Sequence, residues 1–244
     1  MAVSIDTVYQ RVLSIANKEQ RGYITPLEFN LLANQAQLEM FEQYFHDINQ
    51  FGRLPGNKTE YSDVVDNINE KLKPFQNYQT AMSVSSSSIG VLDSNLHKLG
   101  KVTYNQATGT GSTSTFHIEI EEIDQGQFAE IQLSPLTRAT IDRPYYVRKT
   151  ATQILLFPAA SFASSGNVFY NWIDKPAKVE WTYTVVNGEA LYNSTNVVDF
   201  ELHASEETKL VIKILELAGI VIKDPNLYQL VDKEETETLQ QEKQ

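Results

Sequence analysis

The hydrophobic period of this chain changes twice, and those changes restrict its fold more than any single motif does. Up to residue 75 apolar residues recur at three- and four-residue spacing. From 76 to 200 they alternate within short runs rich in Ser, Thr, Gly, Tyr and Val, and from 201 the helical period returns. Helices first, strands in the middle and helices again imply an α+β chain rather than repeated βα units. The expected architecture is a helical bundle formed by the N- and C-terminal helices, with an antiparallel β-sandwich or barrel-like domain inserted. The expected segments are 1–75 for the N-terminal helical part, 76–200 for the β domain, 201–231 for the closing helices and 232–244 for a polar tail.

Local signals carry this division. Val8, Val12, Leu13, Ile15 and Ala16 form one apolar stripe ahead of Gly22. Thr25-Pro26-Leu27-Glu28 reads as a helix start: Thr25 accepts from an orphan N–H, Pro26 needs no donor at the first position, and Glu28 returns a bond. That helix is expected to run to about Gln50 with a broad apolar face made by Leu27, Leu31, Ala36, Leu38, Phe41, Tyr44, Phe45 and Ile48, widened by Phe29, Leu32 and Met40. A third helix is expected over 59–72, ended by Pro74. Strands are expected over 80–84, 89–92, 99–104, 116–120, 128–133, 153–157, 168–173 and 178–185, with Asn187-Gly188 as a hairpin turn. Ser205 is the expected N-cap of the last main helix, whose face is Leu210, Val211, Ile214, Leu215 and Ala218 and whose C-terminal cap is Gly219. Asp224-Pro225 starts one more short helix. Beyond residue 231 little is left to bury, which predicts a tail that is mobile or orders only against a partner.

Composition narrows the function. With 41% hydrophobic and 10% aromatic residues the chain has material for a core, so global disorder is excluded. Twenty Lys and Arg against 31 Asp and Glu give a net charge of −11, which argues against a basic nucleic-acid clamp. The balance is uneven: 6 basic against 5 acidic residues over 136–200, but 5 against 10 from 201 onward. A neutral-to-basic middle between acidic ends can set opposite charges across an interface between copies. No cysteine is present, which removes disulfides, thiol nucleophiles and Cys-ligated zinc. No leader and no membrane span is expected.

No catalytic constellation emerges. His46, His97, His117 and His203 show no metal-ligand spacing. The glycine-bearing loop at 108–112 lacks the Lys-Ser/Thr of a phosphate loop; Glu119, Glu121 and Glu122 are candidates for paired carboxylates, but Glu119 and Glu121 fit the solvent face of a strand. The expectation is therefore no enzyme, no metal and no cofactor. Two clusters stand out instead: Arg143, Tyr145, Tyr146, Arg148 and Lys149 within seven residues, then Trp172, Lys175 and Trp181. Tyr, Trp and Arg concentrate interface energy, so these eight are the candidate interface residues, with a packed core as the competing reading of the aromatic ones.

The Pro-Tyr-Tyr-x-Arg-Lys stretch within 143–149, the Tyr-x-x-x-x-Lys-Pro stretch at 170–176 and the amphipathic closing segment at 201–220 together resemble the head-to-tail connector (ring or adaptor) proteins of tailed bacteriophages, of podovirus type or crAss-like. The resemblance implies a bundle whose first and last helices meet around an inserted β domain. It also implies a homo-oligomeric, commonly dodecameric, ring beneath the portal that lines the DNA passage. The implied partners are the portal, neighbouring connector and tail proteins, and double-stranded DNA in transient non-specific contact, with no membrane. The implied location is the virion, after assembly in the host cytoplasm. A tail, collar or capsid-associated subunit, or a host-surface binding module with Trp172 and Trp181 exposed on one face, are the alternatives.

Overall fold

The computed structural model describes residues 2–18, 24–51, 64–107, 115–163 and 166–221. The chain divides into two compact units, one drawn from positions up to Pro74 and from Pro176 onward, the other spanning Phe75–Lys175. It is an α+β protein. The first unit opens with strand β1 (Ala2–Val3) and helices α1 (Ile5–Lys18), α2 (Pro26–Phe51) and α3 (Val64–Leu72). The Thr25 start forms a complete reciprocal cap: the Glu28 amide donates to Thr25 Oγ1 at 3.3 Å, and the Thr25 amide donates to Glu28 Oε2 at 3.0 Å. The buried face of α2 is Phe29, Ala33, Ala36, Met40, Phe41 and Tyr44. It excludes Leu27, Leu31 and Leu38, which were expected within it and are 66%, 67% and 49% exposed. They share a second face, at i, i+4 and i+11.

The second unit contains β2 (Gln76–Ala81), β3 (Ser83–Val84), β4 (Ile89–Val91), β5 (Leu96–Ala107), β6 (Thr115–Glu122), α4 (Gln125–Leu133), β7 (Tyr145–Thr150), β8 (Gln153–Phe157), α5 (Ala159–Phe162) and β9 (Val168–Asp174). Its eight strands follow the order β2-β9-β5-β6-β7-β8-β4-β3. The strands at the two ends of that order, β2 and β3, are separated in sequence by Met82 alone. The sheet therefore has to curl back on itself, and it is nearly closed and barrel-like. Its interior is one cluster that includes Val102, Ile120, Tyr146, Leu156, Phe162, Val168, Tyr170 and Trp172. Each fully buried Phe or Leu there contributes about 1.5–3 kcal/mol.

Two expectations for this unit are corrected. The sheet is mixed, because β6 and β7 run parallel, pairing Glu121 with Tyr145 and Glu122 with Tyr146. Parallel neighbours need a long crossover, and residues 123–144 supply it. That crossover contains α4, where a strand was expected over 128–133. Phe128 and Ile131, three residues apart, lie on one side of a helix and pack on the Ile123, Ala139, Tyr145 and Val147 cluster.

The returning chain adds β10 (Tyr183–Val186), β11 (Glu189–Tyr192), β12 (Phe200–His203) and α6 (Glu207–Val221). Residues 176–200 were grouped with the β domain on sequence, yet they sit in the helical unit, because side-chain amides of α2 bind them. Asn30 Oδ1 accepts from the Trp181 amide (2.9 Å) and its Nδ2 donates to the Trp181 carbonyl (3.2 Å). Asn34 does the same to Val179 at 3.0 and 2.9 Å. Gln37 donates to the Ala177 carbonyl at 2.8 Å. Consequently the strand expected over 178–185 is reduced to Tyr183–Val186. Asn187 and Gly188 close the hairpin at φ +54° and +86°, the geometry a two-residue turn between right-twisted strands requires.

β12 and α6 then return to the N-terminal elements. β12 pairs with β1, Asp199 Oδ1 accepts from the Ile5 amide at 2.9 Å, and α6 packs on α1 and α2. Lys71 of α3 pairs with Glu206 at 2.7 Å, a carboxylate only 2% exposed. Ser205 is not the cap. A 3-10 turn over Ala204–Glu206 precedes α6, and His203 Nδ1 accepts from the Ser205 amide at 3.3 Å. Gly219 is buried inside α6 rather than ending it. The loop at 108–112, the start of the third helix at 59–63, the helix at Asp224-Pro225 and the tail at 232–244 lie outside the described residues. Among the described residues no helix is long and apolar enough to cross a membrane.

The reciprocal cap gives a direct test. Thr25→Ala removes the acceptor for Glu28 N–H and is expected to lower unfolding free energy by about 1 kcal/mol in a urea titration. It should also return the Glu28 carboxyl, held below its usual range by its bonds to Thr25, toward that range in an NMR titration.

Candidate functional site

The eight candidate interface residues fall in both units and on several faces. In β7 the pleat sends Tyr145 and Val147 to one side and Tyr146 and Arg148 to the other. Tyr145 is buried against Ile123 and Ala139, while Tyr146 is buried in the barrel interior, its hydroxyl donating to Glu122 Oε2 at 2.9 Å. Arg148 is half-buried, and its Nε and Nη2 have no hydrogen-bond acceptor among the described residues. Arg143 is exposed in the turn that bridges back to Thr140, and Lys149 is exposed at the far end of β7. Trp172 is buried and donates to Thr80 Oγ1 at 3.0 Å. Lys175 is exposed, with its backbone amide on the Asn95 carbonyl.

Strand directions sort these cations. β6, β7 and β9 run the same way, since β9 and β6 are both antiparallel to β5. Arg148, Lys149 and Lys175 therefore share one end of the barrel, and Arg143 lies in the turn that precedes the opposite end of β7. Trp181 belongs to the helical unit. It is buried, donates from Nε1 to Asp6 Oδ1 at 3.0 Å and packs on Tyr9 with ring centroids 4.5 Å apart. Trp172 and Trp181 thus form no exposed concave aromatic face.

An exposed apolar cluster not anticipated as a unit from the sequence lies on the hairpin of β10 and β11. Among the described residues β10 and β11 form a two-stranded sheet joined to no other strand. Tyr183, Val185, Val186, Leu191 and Tyr192 are all exposed, Val185 at 66%. An isolated hairpin is marginal in water, and this one is anchored at its base. Trp181 stacks on Tyr183 at 5.9 Å and lies 5.8 Å from Tyr192, and Thr182 Oγ1 donates to the Thr195 carbonyl at 3.0 Å. The period-2 alternation that usually separates a wet face from a dry one is missing here: Val185 and Val186 are adjacent and both apolar. That run was the available signal.

Among the described residues no group of three or more His, Asp or Glu side chains is placed to hold a metal ion. No protein-family model matches the chain, and comparison with curated proteins gives no match.

Burial raises the Tyr146 hydroxyl above the ordinary tyrosine range; the hydrogen bond to Glu122 and then that carboxylate's charge add to it, while Arg148 opposes. Burial raises Tyr170 as well. A raised folded-state value favours the neutral form, so this stabilisation is complete below about pH 10 and is lost as pH rises beyond it. Tyr146→Phe is expected to cost roughly 1 kcal/mol at neutral pH. It should also make the fall of stability above about pH 10 shallower than in the parent, measured by urea titrations across that range. Equal alkaline slopes would remove Tyr146 from the account.

Proposed function

We propose that this chain is a structural virion protein that forms a homo-oligomeric ring, dodecameric by resemblance, in the head-to-tail connector of a tailed phage. In this reading the ring sits beneath the portal, lines the DNA passage and joins the portal to the tail. α1, α2, α3 and α6 act as the bundle, and the barrel-like unit is the insertion. The stretches that carry the resemblance correspond to β7 with the turn before it, the end of β9, and β12 through α6.

The observation that carries the reading is the anchored, apolar, exposed β10–β11 hairpin. A closed ring is built from two different side faces on each subunit, so each copy must offer a surface that is satisfied only by its neighbour. A hairpin with one charged residue, Glu189, and five exposed large apolar side chains is suited to that task. The acidic balance of the whole chain suits a DNA channel wall, because a negative surface repels phosphate and lets the duplex slide.

Electron-microscopy class averages of the purified protein, alone and with particles of its source phage, are the test. Closed rings or portal-attached rings are expected. Val185→Asp with Leu191→Asp should leave monomer unfolding within about 0.5 kcal/mol of the parent, because both sites are exposed, while abolishing ring formation. A parent protein that stays monomeric and joins no particle contradicts the proposal.

A further inference from the structure

The geometry points to a second, unrelated site: a groove on β2, β9 and β5 that takes a pyranose sugar ring. The groove encloses about 300 Å³ and is lined by residues of those three strands, among them Tyr78, Lys98, Asn171 and Trp172. It lies where the ladder is interrupted on both sides of β9. β2 breaks register between Asn77 and Thr80, and β5 breaks it twice, around Leu96–Lys98 and Leu99–Val102. Bulges re-aim side chains, and here they open a recess in an otherwise continuous sheet. Gln79 sits at φ +51° within the β2 bulge. A side chain at position 100 would come 3.0 Å from the Asn171 carbonyl oxygen, so Gly100 is what lets β5 pass this close.

The polar groups are already assigned. Asn171 Oδ1 accepts from the Gln79 amide at 2.9 Å, which fixes the flip of that side chain and leaves its Nδ2 group as a donor. Asn77 donates to Asp174 Oδ2 at 2.8 Å, which leaves its Oδ1 as an acceptor. Lys98 is exposed, its backbone is paired with Ile173, and its ammonium brings three donors. Tyr78 is 75% exposed at the rim.

A flat aromatic ring, a fixed amide donor, a fixed amide acceptor and one ammonium match a ligand with a C–H face and a ring of hydroxyls. One cation is a poor match for a phosphate, and the recess holds a single ring rather than a chain of them. The bulge in β2 also interrupts the row of backbone groups that an added peptide strand would need.

Saturation-transfer NMR on the full-length protein with glucose, galactose and N-acetylglucosamine tests this. Transfer to the ring protons of at least one sugar is expected, lost in Tyr78→Ala. Asn171→Asp keeps the acceptor for Gln79 while removing the donor, and should weaken binding about tenfold. Tyr78 is a surface residue, so its variant should keep the parent's unfolding curve and its assembly state. That separates failure of this site from failure of the ring proposal. No transfer from wild-type protein to any of the three sugars, or equal transfer in wild type and both variants, overturns the assignment.

Discussion

Three side-chain amides on one face of α2 organise the helical unit. Asn30, Asn34 and Gln37 lie at i, i+4 and i+7, and they bind the backbone of Trp181, Val179 and Ala177, alternate residues of an extended segment. The match is geometric. Four residues of helix rise about 6 Å and two residues of strand about 6.7 Å, so a helical ladder of amides can follow a strand for two or three steps before drifting out of phase. Each Asn offers one donor and one acceptor and so replaces a neighbouring strand on the edge opposite the Glu180–Val198 bridge. Without it, the buried backbone groups of Val179 and Trp181 would be unpaired at a cost of about 1–3 kcal/mol each.

The rest of the unit follows from that attachment. It fixes Trp181 between Tyr9 and the base of the β10–β11 hairpin, and so an exposed two-stranded element projects from a rigid base. It returns the chain to where β12 can pair with β1 and where Asp199 can accept from the first turn of α1. The inserted unit is closed by a different constraint, the single residue between β2 and β3, which forces the two ends of its strand order together.

Elements whose cause is local were legible in the sequence. The reciprocal cap at Thr25 and Glu28, the Asn187-Gly188 turn and the alternation of β8 and β9 all have short-range origins and stand where the residues placed them. The amide ladder was not legible, because Asn30, Asn34 and Gln37 on a helix look like a solvated face until the strand they bind is known. α4 was misread because a short apolar run fits either period, and only its packing against β7 decides. The aromatic clusters were legible as clusters, but not their direction. A pleat assigns residues to two faces without saying which becomes the barrel interior, and Tyr145 and Tyr146 end up buried on opposite sides. The sugar-sized groove depends on register breaks that leave no mark on the hydrophobic pattern.

Hydrogen–deuterium exchange of Asn34→Ala against the parent tests the ladder most directly. The amide of Val179 is expected to lose protection while that of Trp181, held by Asn30, and those of the β5–β9 pair keep theirs, and overall stability should fall by about 2–6 kcal/mol for the N–H and C=O of Val179 left unpaired. Unchanged protection at 179, with stability within about 0.5 kcal/mol of the parent, would show that packing and the Glu180–Val198 bridge hold the returning segment without the amide ladder and would contradict the account.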